Sequence, residues 1–298
     1  MSSGFSSRSK PKIACEISSD RVLAGRVSDH GGVVEMCAVG ELAPGSVVPD
    51  LTEVNLRERK GVIDKVKEAL GDVGGRSRDV IAILPDAAVR VMLLDFERLP
   101  AKREEAEGVV RFRLKKSLPF DVDKAKVSYH AQPAATGIRV VAAVALSSVV
   151  EEYESVFQEA GYTSGVVIPS MLAALGAADT DQPTLVVKVD SRTTSIAILD
   201  KEQLLLFRTL ENSRGAAISG EQLAEEIYPS IVFFQDTYNL NIGQIFVAGL
   251  SDSPSAAPAL RAQTGGDVKE LVSSARLSPS AGSIPKWRMA GVVGALVS

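Results

Sequence analysis

Three carboxylates close together are the first candidates for chemistry in this sequence. Glu104, Glu105 and Glu107 lie in a charged stretch, residues 102–116, that we predict to be a helix. The other end of the stretch carries Arg111, Arg113, Lys115 and Lys116. Paired carboxylates suit acid–base catalysis, but acidic residues in the first turn and basic residues in the last turn also stabilise a helix through its dipole. We favour a solvated helix face, with contact between the basic end and an acidic membrane surface or partner as the alternative.

No motif for a metal site or an activated nucleophile stands out elsewhere. The two histidines, His30 and His130, have no metal-ligand spacing with the two cysteines, so the sequence does not favour a zinc site. Ser191 and Ser251 lie outside any Gly-x-Ser-x-Gly pattern. The sequence therefore predicts no catalytic residues outside the region considered below.

The composition is that of an ordinary globular protein large enough for two domains. The chain has 298 residues, of which 45% are hydrophobic and 23% charged, with a net charge of -4. Single cores rarely grow beyond about 250 to 300 residues, and the charge gives no reason to expect nucleic acid as a partner. We interpret Cys15 and Cys37 as reduced, buried side chains in a cytoplasm, since no secretion signal precedes them. Residues 1–11 are expected to be a disordered tail, and no apolar run approaches the roughly 20 residues of a membrane span.

The strongest pattern is a repeat of two three-stranded segments. Residues 185–208 predict a strand, a polar turn at Asp190-Ser191-Arg192, a second strand, another turn and a third strand. Residues 12–39 have the same plan, with their first turn at Ser18-Ser19-Asp20. Because each copy begins one half of the chain, the sequence predicts a duplicated fold with a cleft between two lobes.

The segments around these repeats predict the domain organisation. We assign residues 12–88 plus 162–182 to a first lobe, 89–161 to an inserted module and 183–298 to a second lobe. The first lobe adds a helix at 53–70, strands at 79–84 and 163–169, and a short helix capped by Ser170. The module consists of a strand at 89–96, the charged helix, strands at 124–131 and 137–145, and a helix capped by Ser148 with Glu151 and ended by Gly161.

A long amphipathic helix is the main predicted element of the second lobe after its repeat. Ser219 and Gln222 form a capping box before it, and Pro229 is expected to kink it unless the helix begins later in the sequence. A strand at 244–249, a small helix capped by Ser255 and a last helix with Pro285 at its first position follow. Residues 179–183 are interpreted as the linker between the lobes, and residues 268–283 show no assignable pattern.

Several short motifs occur in the order in which one known family carries them. They are Leu99-Pro100 before Glu104-Glu105, Leu118-Pro119-Phe120-Asp121, Val127-Ser128-Tyr129, Ala160-Gly161-Tyr162, Phe207-Arg208 and residues 246–249. With the element order, they resemble the actin-like superfamily of sugar kinases, heat-shock proteins and cell-division proteins, and more narrowly the PilM proteins of type IV pilus assembly. The resemblance implies a mixed α/β fold of two RNase H-like lobes, with a small α+β module inserted in the first.

The resemblance also implies a nucleotide cleft at the first turn of each repeat. In the superfamily these turns are glycine-rich because backbone N–H groups bind phosphate, and an acidic residue two positions earlier faces the metal. In the first turn, Glu16 takes the acidic position, Ser18 takes the glycine position and Ser19 is retained. This turn is altered but still carries hydroxyl groups.

The second turn departs further from the family pattern. Lys188 takes the acidic position and Asp190 the glycine position, while Thr193 and Thr194 are retained. A late Gly-Gly pair is reduced to Gly249, and only residues 211–218 stand where PilM proteins usually carry a helical subdomain that helps to enclose the adenine. Every part of the implied site is therefore changed.

Two interpretations of the cleft follow. One keeps weak binding of magnesium ATP through the hydroxyls of the two turns, with Lys188 as a phosphate partner. The other, which we favour, is a relic cleft in which no cofactor is expected, because a fold does not by itself carry a function. In that case Glu16 and Lys188 face each other across the cleft and are predicted to form an ion pair where the metal would lie.

The resemblance implies a pseudo-ATPase that acts as a scaffold. Such a protein would be cytoplasmic and would bind the N-terminal peptide of a PilN-like membrane protein, in a groove between the first lobe and the module. It would be peripheral at the inner membrane through that partner, and other pilus platform proteins and self-association are further expectations. One alternative is the actin-like cytoplasmic component of a type II secretion system; against it, that component normally continues into a transmembrane helix, and this sequence stops at Ser298. The other is an active ATPase or small-molecule kinase.

Overall fold

The computed structural model describes residues 10–178, 180–212, 214–251, 253–281 and 284–298. The strands are β1 (Ile13–Ile17), β2 (Arg21–Val27), β3 (Val34–Glu41), β4 (Asp79–Leu84), β5 (Arg90–Phe96), β6 (Ala125–Ala134), β7 (Gly137–Leu146), β8 (Thr163–Pro169), β9 (Thr184–Val189), β10 (Thr193–Asp200), β11 (Gln203–Glu211), β12 (Gln244–Ala248) and β13 (Asp267–Glu270). The helices are α1 (Arg59–Val73), α2 (Arg103–Leu114), α3 (Ser147–Glu159), α4 (Ser170–Leu175), α5 (Gly220–Tyr238), α6 (Ser253–Thr264) and α7 (Ala290–Val297).

Two five-stranded sheets share one topology. Their orders are β3-β2-β1-β4-β8 and β11-β10-β9-β12-β13. In each sheet three strands form an antiparallel meander, and two further strands join in parallel beside the first strand of the meander. The duplicated fold predicted from the two repeats is therefore confirmed.

The two sheets enclose a pair of inner helices. Side chains alternate along each strand, so Ile13, Cys15 and Ile17 of β1 face an outer core with α1 and α3, while Ala14 faces inward. The inner core joins both sheets through α4 and α7. On the far side of the second sheet, α5 and α6 close a third core. The layers thus run helix, sheet, helix, sheet, helix.

Glycines allow the two inner helices to approach closely. A Cβ atom added at Gly294 of α7 would lie 2.2 Å from the carbonyl oxygen of Ala173 in α4. A Cβ at Gly176 would lie 2.5 Å from the carbonyl oxygen of Gly294. The apolar sequence of α7 matches its position, because its residues 290–296 are all buried between the lobes.

The inserted module has its own three-stranded sheet, in the order β5-β7-β6. One face packs on α2 through a separate core that includes Leu94, Val110, Leu114, Val140 and Val144. The module also contacts the second lobe: the Gln132 side chain accepts a hydrogen bond from Leu204 N at 3.1 Å and donates one to Leu204 O at 2.8 Å. The module therefore covers part of β11, the edge strand of the second sheet.

Helix α3 differs from the sequence prediction in its packing. The prediction placed it in the module of residues 89–161, but Val149, Tyr153 and Phe157 lie in the outer core of the first lobe. The Tyr153 hydroxyl also donates a hydrogen bond to Asn55 Oδ1 at 3.1 Å. The sequence shows that α3 has an apolar face but not which surface receives it.

Some predicted helix ends are confirmed. Ser219 and Gln222 form the expected capping box of α5, which continues through Pro229 as one helix. Gly161 has a φ of 86°, and the N–H of Tyr162 bonds the carbonyl of Phe157 beyond the end of α3.

Other helix ends differ from their prediction. Ser148 and Ser255 lie inside α3 and α6, Ser170 makes no cap hydrogen bond, and Pro285 precedes a 3-10 turn instead of α7. Helix α1 begins at Arg59 and not at residue 53, because the Asp50 carboxylate accepts hydrogen bonds from Thr52 N and Glu53 N and holds a turn there.

Four regions of the sequence prediction fall partly outside the described residues. They are residues 1–9 of the predicted tail, Asp179 of the predicted linker, Ser213 of the segment 211–218 and residues 282–283 of the unassigned region. Within the unassigned region the structure places most of β13, whose edge position pairs it only with β12 among the described strands.

Candidate functional site

A buried cluster of charges lies where the central strands of the two sheets end. Lys188 Nζ on β9 is 3.8 Å from Glu16 Oε1 on β1 and 3.6 Å from Asp190 Oδ2. Glu16 and Lys188 are 3% and 5% exposed. These distances exceed those of direct hydrogen bonds, so the contact is an attraction between charges. The ion pair predicted across the cleft is present.

A third carboxylate, missed from the sequence, joins this cluster. Asp86 Oδ1 accepts a hydrogen bond from Met171 N at 2.8 Å, and Oδ2 accepts one from Ser195 Oγ of β10 at 2.9 Å. One carboxylate thereby connects the first lobe, helix α4 and the second lobe. The sequence could have indicated Asp86 through its position in the chain. It follows Pro85 directly after the buried parallel strand β4, and binding sites in α/β sheets form at the carboxyl ends of such strands.

The Glu16 carboxylate is enclosed on its remaining sides. Oε1 accepts a hydrogen bond from Ser170 Oγ, whereas Oε2 is buried and has no hydrogen-bond partner among the described residues. Helix α7 covers it, since a Cβ atom at Gly291 would lie 2.9 Å from Oε2. In the parts of the chain that the structure describes, no group of three or more His, Cys, Asp or Glu side chains is placed to hold a metal ion.

Burial and neighbouring charges set the protonation of the cluster. Burial alone would lower the pKa of Lys188, but Asp190, Glu16 and Asp86 together outweigh it and raise that pKa. Burial raises the pKa of Asp86, with Lys188 opposing the shift only in part. The Lys188 ammonium group therefore remains charged, and it is attracted by the carboxylates of Asp190, Glu16 and Asp86.

The first turn uses its polar groups within the turn itself. Ser18 N donates to Arg21 O at 2.9 Å, and Ser18 Oγ donates to Asp20 Oδ1 at 2.8 Å. Arg21 binds the Asp20 carboxylate at 2.9 Å, and Arg288 lies 3.5 Å from it. Although burial works against it, these contacts hold the pKa of Asp20 below its ordinary value. Ser19, which is half-buried, is the remaining residue of the turn.

The second turn is closed in the same way. Asp190 N donates to Thr193 O at 2.7 Å, and Ser191 N donates to Asp190 Oδ1 at 2.7 Å. Thr193 lines the opening of the cleft, whereas Thr194 is fully buried in β10. The N–H groups of Ser18, Asp190 and Ser191 thus donate to acceptors within their own turns.

Gly249 has a structural reason to be glycine. Its φ is 79°, its N–H donates to Trp287 O at 2.9 Å, and a Cβ atom would lie 1.8 Å from Val189 O. The predicted site residues are therefore only partly brought together: Glu16, Lys188 and Asp190 form one cluster, and Ser18 belongs to the Asp20 network. Because the carboxylates of Glu16 and Asp190 face the Lys188 ammonium, the residues present do not fit a divalent cation at this point.

Two cavities flank these groups. The larger, about 770 Å³, is a polar cleft between the lobes whose lining includes Thr52, Asp86, Arg90, Arg192 and Glu211. The smaller, about 130 Å³, is an apolar groove between the first lobe and the module. It is lined by Leu84, Val89, Lys126, Val127, Ser128, Ala143, Val144, Ala145, Val150, Val167, Ile168 and Pro169. Its two sides include β8 and β6, each of which is an edge strand of its sheet.

No family model and no curated protein sequence matches this chain. Its structure is similar to a chain described as a PilM–PilN type IV pilus biogenesis complex, with a TM-score of 0.78 and 18% identity over 96% of this chain and 98% of that one. A Bacteroides thetaiotaomicron protein described as having an actin-like ATPase fold and unknown function gives a TM-score of 0.50 at 11% identity, covering 91% of each chain.

The fold is actin-like. A third similar structure is the cytoplasmic domain of EpsL, an inner membrane component of the type II secretion system of Vibrio cholerae, with a TM-score of 0.51, 9% identity and coverage of 81% and 85% of the two chains. At these identities the likeness establishes the actin-like fold alone, and the predicted resemblance to PilM proteins is confirmed at that level. Among the described residues no helix is long and apolar enough to cross a membrane.

Proposed function

We propose that this actin-like chain is a PilM-type scaffold of the type IV pilus inner-membrane platform. It binds an extended cytoplasmic peptide of a PilN-like membrane protein and needs no nucleotide to do so. The observation that carries the proposal is the similarity to a chain from a PilM–PilN complex, which extends over nearly the whole of both chains. The similarity to the type II secretion component has the lower TM-score and coverage, so we place that function second.

The apolar groove supports peptide binding. An extended peptide can add to a free strand edge through backbone hydrogen bonds, while alternate side chains enter apolar pockets. Here β8 offers an edge on one side and β6 on the other, and Val127, Val150 and Ile168 contribute apolar walls. A peptide with alternating apolar residues fits these features better than a charged one.

The buried charge cluster supports scaffolding without turnover. Lys188 supplies a fixed positive charge between Glu16 and Asp190, where the superfamily places a metal ion. This charge attracts side chains of both lobes, so the proposed scaffold needs no bound cation or phosphate between them. This function implies that the protein lies in the cytoplasm and is recruited to the inner membrane by its partner.

The proposal is tested by titrating the full chain with a fluorescent peptide that matches the N-terminal cytoplasmic segment of the PilN-like protein of the same organism. We expect saturable binding without nucleotide. Ser128→Trp, which fills the groove from an exposed lining position, should weaken binding by at least about tenfold, as the loss of a few good contacts does. Thr52→Trp, an equally bulky change in the polar cleft, should leave it unchanged.

Nucleotide dependence is measured in the same titration, after thermal unfolding has shown both variants to be folded. Magnesium ATP should change neither the peptide affinity nor the midpoint of unfolding, since a ligand of the folded state would raise that midpoint. Absence of saturable peptide binding, or equal binding by the Ser128 variant, would overturn the scaffold proposal. Saturable binding of magnesium ATP with phosphate release would favour the ATPase alternative.

A further inference from the structure

The outer helix of the module presents an exposed aromatic side chain. The buried side of α2 consists of Ala106, Val110 and Leu114, which pack on the module sheet. Phe112 points away from that sheet and is 73% exposed, more than any other large hydrophobic side chain in the described part of the structure. Val109, one turn earlier, is 38% exposed. An exposed phenylalanine of this kind costs free energy in water unless a partner covers it.

Basic side chains surround Phe112. Arg113, Lys115 and Lys116 are exposed, and none of them makes an ion pair or a side-chain hydrogen bond with the described residues. Arg111 differs, because it contacts Glu107 Oε1 at 2.9 Å and donates to Val122 O at 3.0 Å. The acidic residues of the helix lie towards its other end.

The local charge remains positive when the following turn is included. Residues 111–124 contain five basic and two acidic side chains, although the whole chain has a net charge of -4. The acidic residues of the turn are Asp121 and Asp123, and Asp121 accepts a hydrogen bond from Asp123 N within the turn. The positive end of α2 is therefore a local feature and not a consequence of overall charge.

We infer that this end of α2 is a membrane contact: Phe112 inserts at the headgroup level of an anionic bilayer while Arg113, Lys115 and Lys116 bind lipid phosphates. Aromatic side chains with basic neighbours are typical of helices that lie on membranes. A protein partner would have to offer a complementary pocket for Phe112, whereas a bilayer takes up an exposed aromatic side chain without a preformed pocket. The basic charges have the sign that complements an anionic surface.

The inference is independent of the proposed peptide groove, since α2 packs on the module sheet through other residues. Peptide binding in the groove and lipid binding by α2 would strengthen each other, because a protein held by a membrane-anchored partner meets lipid at a high effective concentration. Lipid binding alone is expected to be weak. Its test therefore uses the full chain and vesicles without any partner.

The experiment is co-sedimentation of the full chain with vesicles of phosphatidylcholine containing one third phosphatidylglycerol, compared with phosphatidylcholine alone. We expect binding to the anionic vesicles only, reduced when salt rises from about 0.1 to about 1 M. Lys115→Glu with Lys116→Glu should lower the partition coefficient at least tenfold, since each basic residue near such a surface contributes roughly a factor of five. Lys60→Glu with Lys67→Glu, the same charge change on exposed positions of α1, is the matched control and should have less than a threefold effect.

The aromatic part of the contact is tested separately. Phe112→Ser should reduce partitioning several-fold, whereas Phe233→Ser, a change at a 49% exposed phenylalanine of the second lobe, should not. Thermal unfolding checks that each variant is folded. Equal binding to neutral vesicles, equal losses in the two lysine pairs, or no binding to anionic vesicles would overturn the inference, and the last result together with capture by an acidic protein would assign the surface to a protein partner.

Discussion

Lys188 is the residue on which the electrostatics between the lobes depend most. It lies within 4 Å of Glu16 and Asp190, and Asp86 adds to the attraction that raises its pKa. A buried ion pair adds little net stability compared with an apolar replacement of both partners, but removing one partner leaves an uncompensated charge. The cluster therefore gives specificity to the arrangement of the lobes and makes it sensitive to single substitutions.

The first prediction concerns Lys188→Met, which keeps the length of the side chain and removes its charge. We expect the free energy of unfolding to fall by about 3 to 5 kcal/mol, because buried carboxylates lose their counter-charge. Adding Glu16→Gln should restore part of the loss, giving an interaction energy of about 1 to 3 kcal/mol in a double-mutant cycle. Urea unfolding of the four proteins measures this, and strictly additive effects would show that the two side chains do not interact.

The second prediction follows from the raised pKa of Asp86. Because the folded pKa lies above the unfolded one, the stabilising contribution of Asp86 is complete below about pH 3.9, the unfolded value, and is lost as pH rises through the folded value. Asp86→Asn does not titrate, and its amide can accept from Met171 N and donate to Ser195 Oγ. The variant should therefore gain stability relative to the parent over the pH range that begins at about 3.9 and extends upwards. A constant or opposite difference in urea unfolding across this range would contradict the assignment.

At the scale of elements, local sequence patterns predict most of the strands, but they seldom predict which other element each strand or helix packs against. The bounds of β4 and β8 agree with the predicted ranges 79–84 and 163–169, because in each a short continuous apolar run ends at a proline. Helix α3 was predicted as an element, but its apolar face packs in the outer core of the first lobe, which a local pattern does not specify. The position of α7 between the lobes depends on glycines that meet a neighbouring backbone, which no local pattern specifies.

The third prediction tests this helix contact. Gly294→Ala places a methyl group against the Ala173 carbonyl oxygen and should destabilise the fold by about 1 to 3 kcal/mol or more, as overpacked cores do. Gly108→Ala is the control, because nothing lies within 4 Å of its Cβ position in the middle of α2. That substitution should stabilise by about 0.5 to 1 kcal/mol through helix propensity. Equal effects of the two changes on chemical unfolding would refute close packing of α4 and α7.

At the scale of the whole molecule, contacts of several kinds hold the lobes together. They include the charge cluster, the ion pairs of Arg288 with Asp20 and Glu41, the α4 and α7 pair in the inner core, and the module where it meets β11. In the last of these, Arg139 binds Asp95 at 2.6 and 2.9 Å and the Tyr238 hydroxyl at 2.5 Å. Among the described residues, the two lobes are therefore joined at several separate points.

The fourth prediction concerns the contact between the inserted module and strand β11 of the second lobe. Gln132→Ala removes both hydrogen bonds to Leu204 and should speed hydrogen exchange of the Leu204 amide by roughly fivefold to tenfold, the effect of one typical hydrogen bond. Amides of β12, in the interior of the second sheet, serve as an internal control and should keep their protection. Unchanged exchange at Leu204 would mean that the module and the second lobe are held together by other contacts.

The sequence predicted only that part of the candidate site in which the two repeats place equivalent residues opposite each other. Alignment of the two turns predicts that Glu16 and Lys188 face each other, and they do. Asp86, Ser170 and Ser195 reach the cluster from three separate elements, so only the tertiary arrangement brings them there. The groove residues likewise come from both units and have no signature in one segment of sequence.

The most direct test of the central claim is site-specific photo-crosslinking in the cell, with the reactive amino acid at the position of Ser128 in the groove or of Thr52 in the polar cleft. If the chain is a scaffold that holds a PilN-like peptide between the first lobe and the module, the Ser128 position will crosslink to that membrane protein and the Thr52 position will not. Crosslinks from Thr52 alone, or none to the PilN-like protein from Ser128, would contradict the account.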